Sequence, residues 1–264
     1  LMTILTNEFL ESFEISISSF DDSQTLPPEI YTSEEFLDFE RKSIFDHEWL
    51  CAGLANSIPD PGDWFTKTIN GEPLIIARGK DYQIRVFSAV CQHRAMQICE
   101  GSGNNSKFKC PYHHWTYDLD GSLFAAGRMD SDFDKAEHGL KPVAIECISG
   151  TIFICLSETP PPIEDFREKL TQYAAPHNLK DAKLAYESVL VENANWKLVM
   201  ENGRECYHCS TGHPELAKTF PVGMSKHFDS GHDARVIAFE ETMDALGLPQ
   251  TPVEGHYWQI ARFA

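Results

Sequence analysis

The sequence predicts an α+β protein whose most legible part is an antiparallel β domain. From Trp49 to Leu156, short β-branched and aromatic runs alternate with turn signals, the pattern of hairpin-connected strands. Those signals are Asp60-Pro-Gly-Asp63, Asn70-Gly71, Gly79-Lys-Asp81 and Asp120-Gly121, built from the residues that tolerate tight reversals. Helical patterns lie only outside this block. Residues 1–30 are polar with scattered apolar side chains and end in Pro27-Pro28, which predicts an arm. Thr32 with Glu35 forms a capping-box signature ahead of Phe36, Phe39, Ile44 and Phe45, so a helix is expected over 33–47. Thr159-Pro-Pro-Pro162 marks a boundary, followed by an expected helix near 163–174 and an expected strand near 184–192. No internal repeat or low-complexity tract is visible.

Composition narrows the function. The net charge is −18 and no basic stripe is present to neutralise phosphate, so nucleic acid is not an expected partner. Such a charge steers cationic substrates or basic electron-transfer partners, and it serves equally as a solubilising surface. No apolar run is long enough for a membrane helix, and the first twenty residues lack the basic start and apolar core of a signal peptide. The eight cysteines show no secreted-framework spacing, so a reduced, cytoplasmic protein is expected.

Two short stretches carry most of the chemistry. Cys91-Gln-His93 is followed 17 positions later by Cys110-Pro-Tyr-His113. Each supplies one sulfur and one nitrogen, and the turn-rich interval with Gly101, Gly103, Asn104 and Asn105 lets the chain return, so the two loops can face each other. The pattern resembles that of a Rieske iron–sulfur centre, in which two thiolates hold one iron and two imidazoles the other. A tetrahedral zinc site, or unrelated core Cys and His, are the competing readings of the same residues. High-potential Rieske proteins carry an extra disulfide between the loops. Met96 and Tyr112 stand at the matching positions here, so that bridge is excluded. The run Cys110 to Gly121 is similar instead to the Rieske domain of bacterial oxygenases, implying a potential toward the low end of the range. His114, where many relatives carry Gly, reads as a solvated neighbour and not a ligand.

A second constellation follows Asn195-Trp196: Asn202, Glu205, Tyr207, His208 and His213. Two histidines five positions apart do not stack ideally on one helix face. Thr211-Gly212 and Pro214 signal that the helix ends or bends between them, which lets both imidazoles converge on one metal. Alone, His-x4-His is a weak signal. Beside the Cys/His pair it resembles the mononuclear-iron motif of Rieske non-haem iron oxygenases, where two His and one carboxylate hold iron with open positions for dioxygen.

The resemblance covers the chain from about Tyr31 onward and concerns the large (alpha) subunit of that family. It implies an antiparallel β Rieske domain plus a helix-grip catalytic domain, an antiparallel sheet with helices. By domain, residues 1–48 would be an arm and helix packing on the catalytic domain, 49–160 the Rieske domain, and 161–264 the first part of the catalytic domain. It implies that Cys91, His93, Cys110 and His113 bind a 2Fe–2S cluster and that His208 and His213 bind a mononuclear Fe(II). Glu205 falls where the family bridges the two metal sites of neighbouring subunits in a head-to-tail homotrimer, and Asn202 resembles the family's polar residue near the iron. A flavin or ferredoxin-type reductase would supply electrons from NAD(P)H through His93 or His113 and Glu205, with dioxygen and a small molecule as substrates.

Two departures from the family refine this. The third iron ligand, an acid, lies well downstream in the family, yet this sequence stops at Arg262-Phe-Ala264 within a strand-like run from His256 to Phe263, so the catalytic domain is expected to be incomplete. Asp229, Asp233, Glu240, Glu241, Asp244 and Glu254 are available carboxylates, none singled out. Glu instead of the usual Asp at 205, with Cys206, Cys209 and Gly212 to Leu216 around it, is similar to the branch that oxidises quaternary ammonium compounds: betaine, carnitine, choline and stachydrine. Such a cation cannot donate a hydrogen bond and must be held by aromatic faces. Phe220, Phe228, Tyr257 and Trp258 are candidates, with core packing the commoner role for each. An aromatic-ring hydroxylase with the same metals, or a Rieske electron carrier without oxygenase activity, are the alternatives.

Overall fold

A computed structural model describes residues 6–16, 24–175, 178–204 and 208–214. These fall into two compact units. One comprises Asp38–Thr171 and His177–Glu187, the other Leu1–Leu37, Gln172–Pro176 and Ser188–Ala264.

The first unit is built on ten strands: β1 (Leu50–Leu54), β2 (Asp63–Ile69), β3 (Glu72–Arg78), β4 (Ile84–Ser88), β5 (Ser102–Asn104), β6 (Lys107–Lys109), β7 (Thr116–Asp118), β8 (Leu123–Ala125), β9 (Pro142–Ile148) and β10 (Thr151–Cys155). Seven form an antiparallel sheet in the order β1-β10-β9-β4-β3-β2-β5, and β6-β7-β8 form a smaller one. The predicted α+β class with an antiparallel β domain is what the chain adopts. Strand β3 lies inside the sheet between β4 and β2, and its run Leu74-Ile75-Ile76-Ala77 is wholly buried because successive side chains point to opposite faces, each with its own core. Leu74 and Ile76 join Ile58, Val86, Ile152 and Ile154 on one face. Ile75 and Ala77 join Trp64, Phe87, Phe108, Trp115 and Tyr117 on the other, in a cluster that also contains Cys91 and Cys110.

Turn chemistry sets the registers. Asn70 (φ 48°) and Gly71 (φ 85°) are both left-handed, as a two-residue turn matched to strand twist requires, and they join β2 to β3. Ser149 (φ 51°) and Gly150 (φ 86°) make the equivalent β9–β10 turn, which the sequence signals did not single out. Gly121 (φ 87°) closes β7 to β8 and lies against the larger sheet: an added Cβ would sit 2.4 Å from Phe87 Cε1. Its carbonyl also accepts the Leu140 N–H at 2.8 Å.

The segments flanking the β domain differ from expectation in three places. The expected arm contains a helix, α1 (Asn7–Ser16), whose start is capped by Thr6 Oγ1 accepting Phe9 N–H at 3.1 Å. The helix expected over 33–47 is α2 (Glu29–Thr32), then α3 (Glu34–Glu40), then a π-helical turn Arg41–Phe45. Its capping hydroxyl is that of Ser33, which accepts Phe36 N–H at 3.2 Å, while Thr32 donates back to Pro28 O. The wide turn has a partner in the sheet: Asn70 Nδ2 donates to Asp46 Oδ1 at 2.7 Å and to Arg41 O at 3.3 Å. The helix expected at 163–174 is α4 (Glu164–Ala174). The strand expected at 184–192 is not formed. That stretch is irregular, with Tyr186, Val189, Leu190 and Val191 all more than four-fifths exposed, because no strand among the described residues pairs with it. In the second unit α5 (Trp196–Arg204) begins at Asn195, whose Oδ1 accepts Lys197 N–H, and Glu201 on it accepts the Tyr31 hydroxyl at 2.8 Å.

Gly121 is the most sensitive point of this arrangement. Gly121→Ala combines a left-handed φ with a clash into Phe87 and should cost roughly 2–4 kcal/mol. Denaturant unfolding would register the loss, and a midpoint equal to that of the parent would show that the two sheets do not meet as described.

Candidate metal centres

The two Cys/His loops are the tips of two hairpins that share one backbone design. The first leaves β4, and the Ala89 carbonyl accepts Ile98 N–H at 2.8 Å across its base. Within it, Cys91 N–H donates to Met96 O at 2.9 Å and Ala95 N–H returns to Cys91 O at 3.0 Å. The second joins β6 to β7, where Cys110 N–H donates to Trp115 O at 2.8 Å and His114 N–H returns to Cys110 O at 3.0 Å. The fifth residue of each loop is left-handed, Ala95 (φ 55°) and His114 (φ 62°). His114 is exposed, in keeping with a solvated neighbour, and its conformation is one that Gly adopts without strain.

This symmetry brings the four predicted side chains together as two pairs. Both thiols are buried at 2 % exposure and within hydrogen-bonding reach of each other. The His93 and His113 rings meet edge to face, 4.6 Å between centroids, with His113 at the surface. Among the described residues no three His, Cys, Asp or Glu side chains gather as around a single metal ion. A sulfur pair inside and a nitrogen pair outside is the donor set for a two-iron cluster, one iron to each pair. A single tetrahedral zinc is a poorer match.

Electrostatics agrees with this fit. Burial pushes the Cys110 thiol up, opposed by the Tyr112 and His113 backbone N–H groups that bond to its sulfur, and Cys91 beside it raises it further. Burial, then His93, Arg94 and His114, lowers the pKa of His113 and favours the neutral imidazole a metal needs. Tyr117, on β7, was not singled out from sequence although it lies in the same run. Its oxygen accepts Gln92 N–H at 3.1 Å, leaving its own proton for Cys91 Sγ at 3.3 Å. Burial raises the pKa of Tyr117, so it stays a neutral donor. Trp115 is the other missed residue, stacked on His93 at 4.9 Å. Trp115, just before β7, and Tyr117 within it are two positions apart, so alternation turns both inward.

The second predicted pair lies in the other unit. His208 precedes and His213 follows the single turn α6 (Cys209–Gly212), held by Gly212 N–H to His208 O at 2.8 Å and His213 N–H to Cys209 O at 2.9 Å. The bend expected between them brings their rings to 5.3 Å. Asn202 is exposed on α5. Glu205, the aromatic candidates at 220, 228, 257 and 258, the run 256–263 and the six downstream carboxylates lie outside the described residues. Cys209, on α6, is buried, and the other described cysteines, Cys51, Cys91, Cys99, Cys110, Cys147 and Cys155, are free thiols.

Comparison with known proteins agrees at two levels. Residues 48–144 match the Rieske [2Fe-2S] domain, and residues 179–260 match the ring hydroxylating alpha subunit catalytic domain. The glycine betaine monooxygenase oxygenase subunit of Chromohalobacter salexigens is 46 % identical over 241 residues, 90 % of this chain and 53 % of that protein. The carnitine monooxygenase oxygenase subunit of Escherichia coli K12 is 31 % identical over 265 residues, 90 % of this chain and 71 % of that protein. The crystal structure of the quaternary ammonium Rieske monooxygenase CntA with L-carnitine matches at TM-score 0.68 and 37 % identity, over 75 % of this chain and 57 % of that one. The chain thus spans about half the length of the glycine betaine relatives it matches.

Tyr117→Phe should lower the reduction potential of the 2Fe–2S cluster, because one donor to a sulfur is lost. A hydrogen bond worth about 1 kcal/mol corresponds to roughly 45 mV for one electron, and a redox titration followed by circular dichroism would read it. An unchanged potential would mean that the Tyr117 hydroxyl does not touch cluster sulfur. With the two domains matched in order along one chain, and a relative matched over most of its length, the chain belongs to the family of Rieske-type ring-hydroxylating oxygenase alpha subunits.

Proposed function

We propose that this chain is part of an oxygenase component that hydroxylates a C–H bond beside a quaternary nitrogen and so removes an N-methyl group. The observation that carries the reading is the pairing of two metal-ligand sets on one chain, a buried Cys pair facing a surface His pair in one unit and a second His pair in the other. The glycine betaine and carnitine monooxygenase relatives support the substrate class. So does the net charge of −18, which attracts a cation. The reaction consumes dioxygen, two electrons and two protons, gives one water and a hydroxymethyl ammonium, and the latter loses formaldehyde and a proton to leave the demethylated amine.

Cys91 and Cys110 would hold one iron of the cluster and His93 and His113 the other, while His208 and His213 hold the mononuclear iron together with a carboxylate. When bound, these groups supply one-electron storage and dioxygen activation. The residues do the rest. Tyr112 and His113 N–H groups and the Tyr117 hydroxyl stabilise negative charge on sulfur, and the buried cysteines keep water from it. Glu205 would bridge a Rieske histidine of one subunit to the iron site of the next in a head-to-tail homotrimer, a closed ring of equivalent heterologous interfaces. Asn202 would stand near that route as a polar residue beside the iron. A flavin or ferredoxin-type reductase would be the electron donor, in a cytoplasmic setting. Residues 1–48 are read as an arm and helix on the catalytic domain, 49–160 as the Rieske domain and 161–264 as the start of the catalytic domain.

Oxygen uptake with a surrogate reductase tests the proposal, using methylated ammonium compounds and aromatic acids side by side. Uptake with formaldehyde release on the ammonium compounds is expected. Uptake only on the aromatic acids would favour ring hydroxylation, and none on any substrate by iron-loaded protein would favour an electron carrier. His208→Ala or His213→Ala should remove about one iron per chain, that of the mononuclear site, and abolish turnover with the visible Rieske spectrum intact. Glu205→Gln should keep both metals yet lose substrate oxidation, since the charge-assisted bond to a histidine, worth roughly 1.5–3 kcal/mol, is gone. Full turnover in that variant would remove Glu205 from the electron route.

A further inference from the structure

Trp115 is in contact with one of the four candidate ligands, and its surroundings hold it there. Its carbonyl closes the second loop by accepting Cys110 N–H. Its indole is only 3 % exposed and lies nearly parallel to the His93 imidazole, 10° between planes and 4.9 Å between centroids. Phe133 and His138 meet the indole edge to face at 5.5 and 5.8 Å, and His138 Nδ1 is anchored to Asp134 O at 2.8 Å. The ring therefore has little freedom to tilt. An imidazole on a loop tip has a broad, roughly twofold χ2 preference and needs something to select its plane. Trp115 also carries the one buried side-chain polar atom without a hydrogen-bond partner among the described residues, its Nε1. Buried donors normally have an acceptor, and a single orphan beside a candidate cofactor site calls for one that the protein atoms do not supply.

We propose that Trp115 is the positioning residue for the His93 end of the cluster, its ring fixing the imidazole plane and its N–H donating to the bound cluster. This rests on the reading of Cys91, His93, Cys110 and His113 as Rieske ligands. Outer partners of this kind orient a metal-bound histidine and tune the metal's potential. A donor toward cluster sulfur stabilises the reduced state, so its loss lowers the potential.

The test uses the iron-loaded full chain with two variants and one isotope label. Trp115→Phe keeps an aromatic wall and removes the N–H, so the spread of g-values in the reduced Rieske resonance should persist while the potential falls. Trp115→Leu removes both, so the g-values and the histidine nitrogen couplings should shift as well. In the unaltered protein carrying 15N at its tryptophan indoles, pulsed EPR of the reduced cluster should show an indole nitrogen coupling that disappears in Trp115→Phe. Potentials and g-values equal to the parent's in both variants would overturn the proposal. If Trp115→Leu does not hold the cluster, the label experiment decides on the unaltered protein, and absence of the coupling overturns it. Failure of the unaltered protein to acquire iron and sulfide would instead defeat the ligand reading, a different outcome from either.

Discussion

The constraint on which the rest depends is that two thiols must stand side by side inside a β core while two imidazoles meet at its surface. Neither loop can satisfy this alone. Each supplies one sulfur and one nitrogen, so the geometry exists only when the β4 end of the larger sheet faces the β6–β7 tip of the smaller one. The packing of Gly121 against Phe87 and the Leu140 N–H bond to Gly121 O hold the two sheets together, and none of these residues is a ligand. The two loops then reach that geometry by the same device, a Cys N–H bonded to the carbonyl five residues on and a left-handed residue just before. Repetition of one backbone solution explains why unlike sequences, Cys-Gln-His-Arg-Ala-Met and Cys-Pro-Tyr-His-His-Trp, present their ligands toward a common point.

Burial gives the thiol pair a chemical bias. A thiol excluded from water resists ionisation, and Cys110 is shifted upward for that reason first. Thiolate is what iron requires, so the cluster's positive charge and the loop N–H donors together must reverse the bias, and assembly releases protons. Before loading, burial biases the Cys110 thiol toward its neutral form. Loading should therefore be favoured as pH rises. Partial desolvation at the loop tip and the neighbouring His93, Arg94 and His114 lower the pKa of His113, so imidazolium competes less with the metal at that site. With the two thiols buried and the His113 ring exposed, a cluster held by these residues would present its histidine side to solvent.

Much of this was legible in the sequence, for identifiable reasons. The Cys and His residues that the fold brings together announce themselves by type and spacing, and the turns at Asn70-Gly71 and Asp120-Gly121 by the left-handed backbone that few residues accept. What stayed hidden depends on neighbours distant in the chain. The π-helical turn Arg41–Phe45 is coupled to Asn70 of a hairpin, which local propensity cannot see. The stretch 184–192 is rich in strand-forming residues yet has no ladder to join among the described residues, and pattern alone cannot report a missing partner. Tyr117 and Trp115 read as ordinary core aromatics until the sheets place them against Cys91 and His93. The α1 cap at Thr6 was present in the sequence but lay in a segment whose polarity suggested an arm.

The central claim is that the two loops hold a two-iron centre with sulfur on one side and nitrogen on the other. Pulsed EPR of the dithionite-reduced protein, matured with iron and uniformly 15N-labelled at histidine, tests it most directly. The account predicts a rhombic Rieske signal with two strongly coupled imidazole nitrogens, reduced to one in His93→Cys or His113→Cys. A signal without strong nitrogen coupling, or protein that binds zinc and no inorganic sulfide under the same conditions, would contradict it.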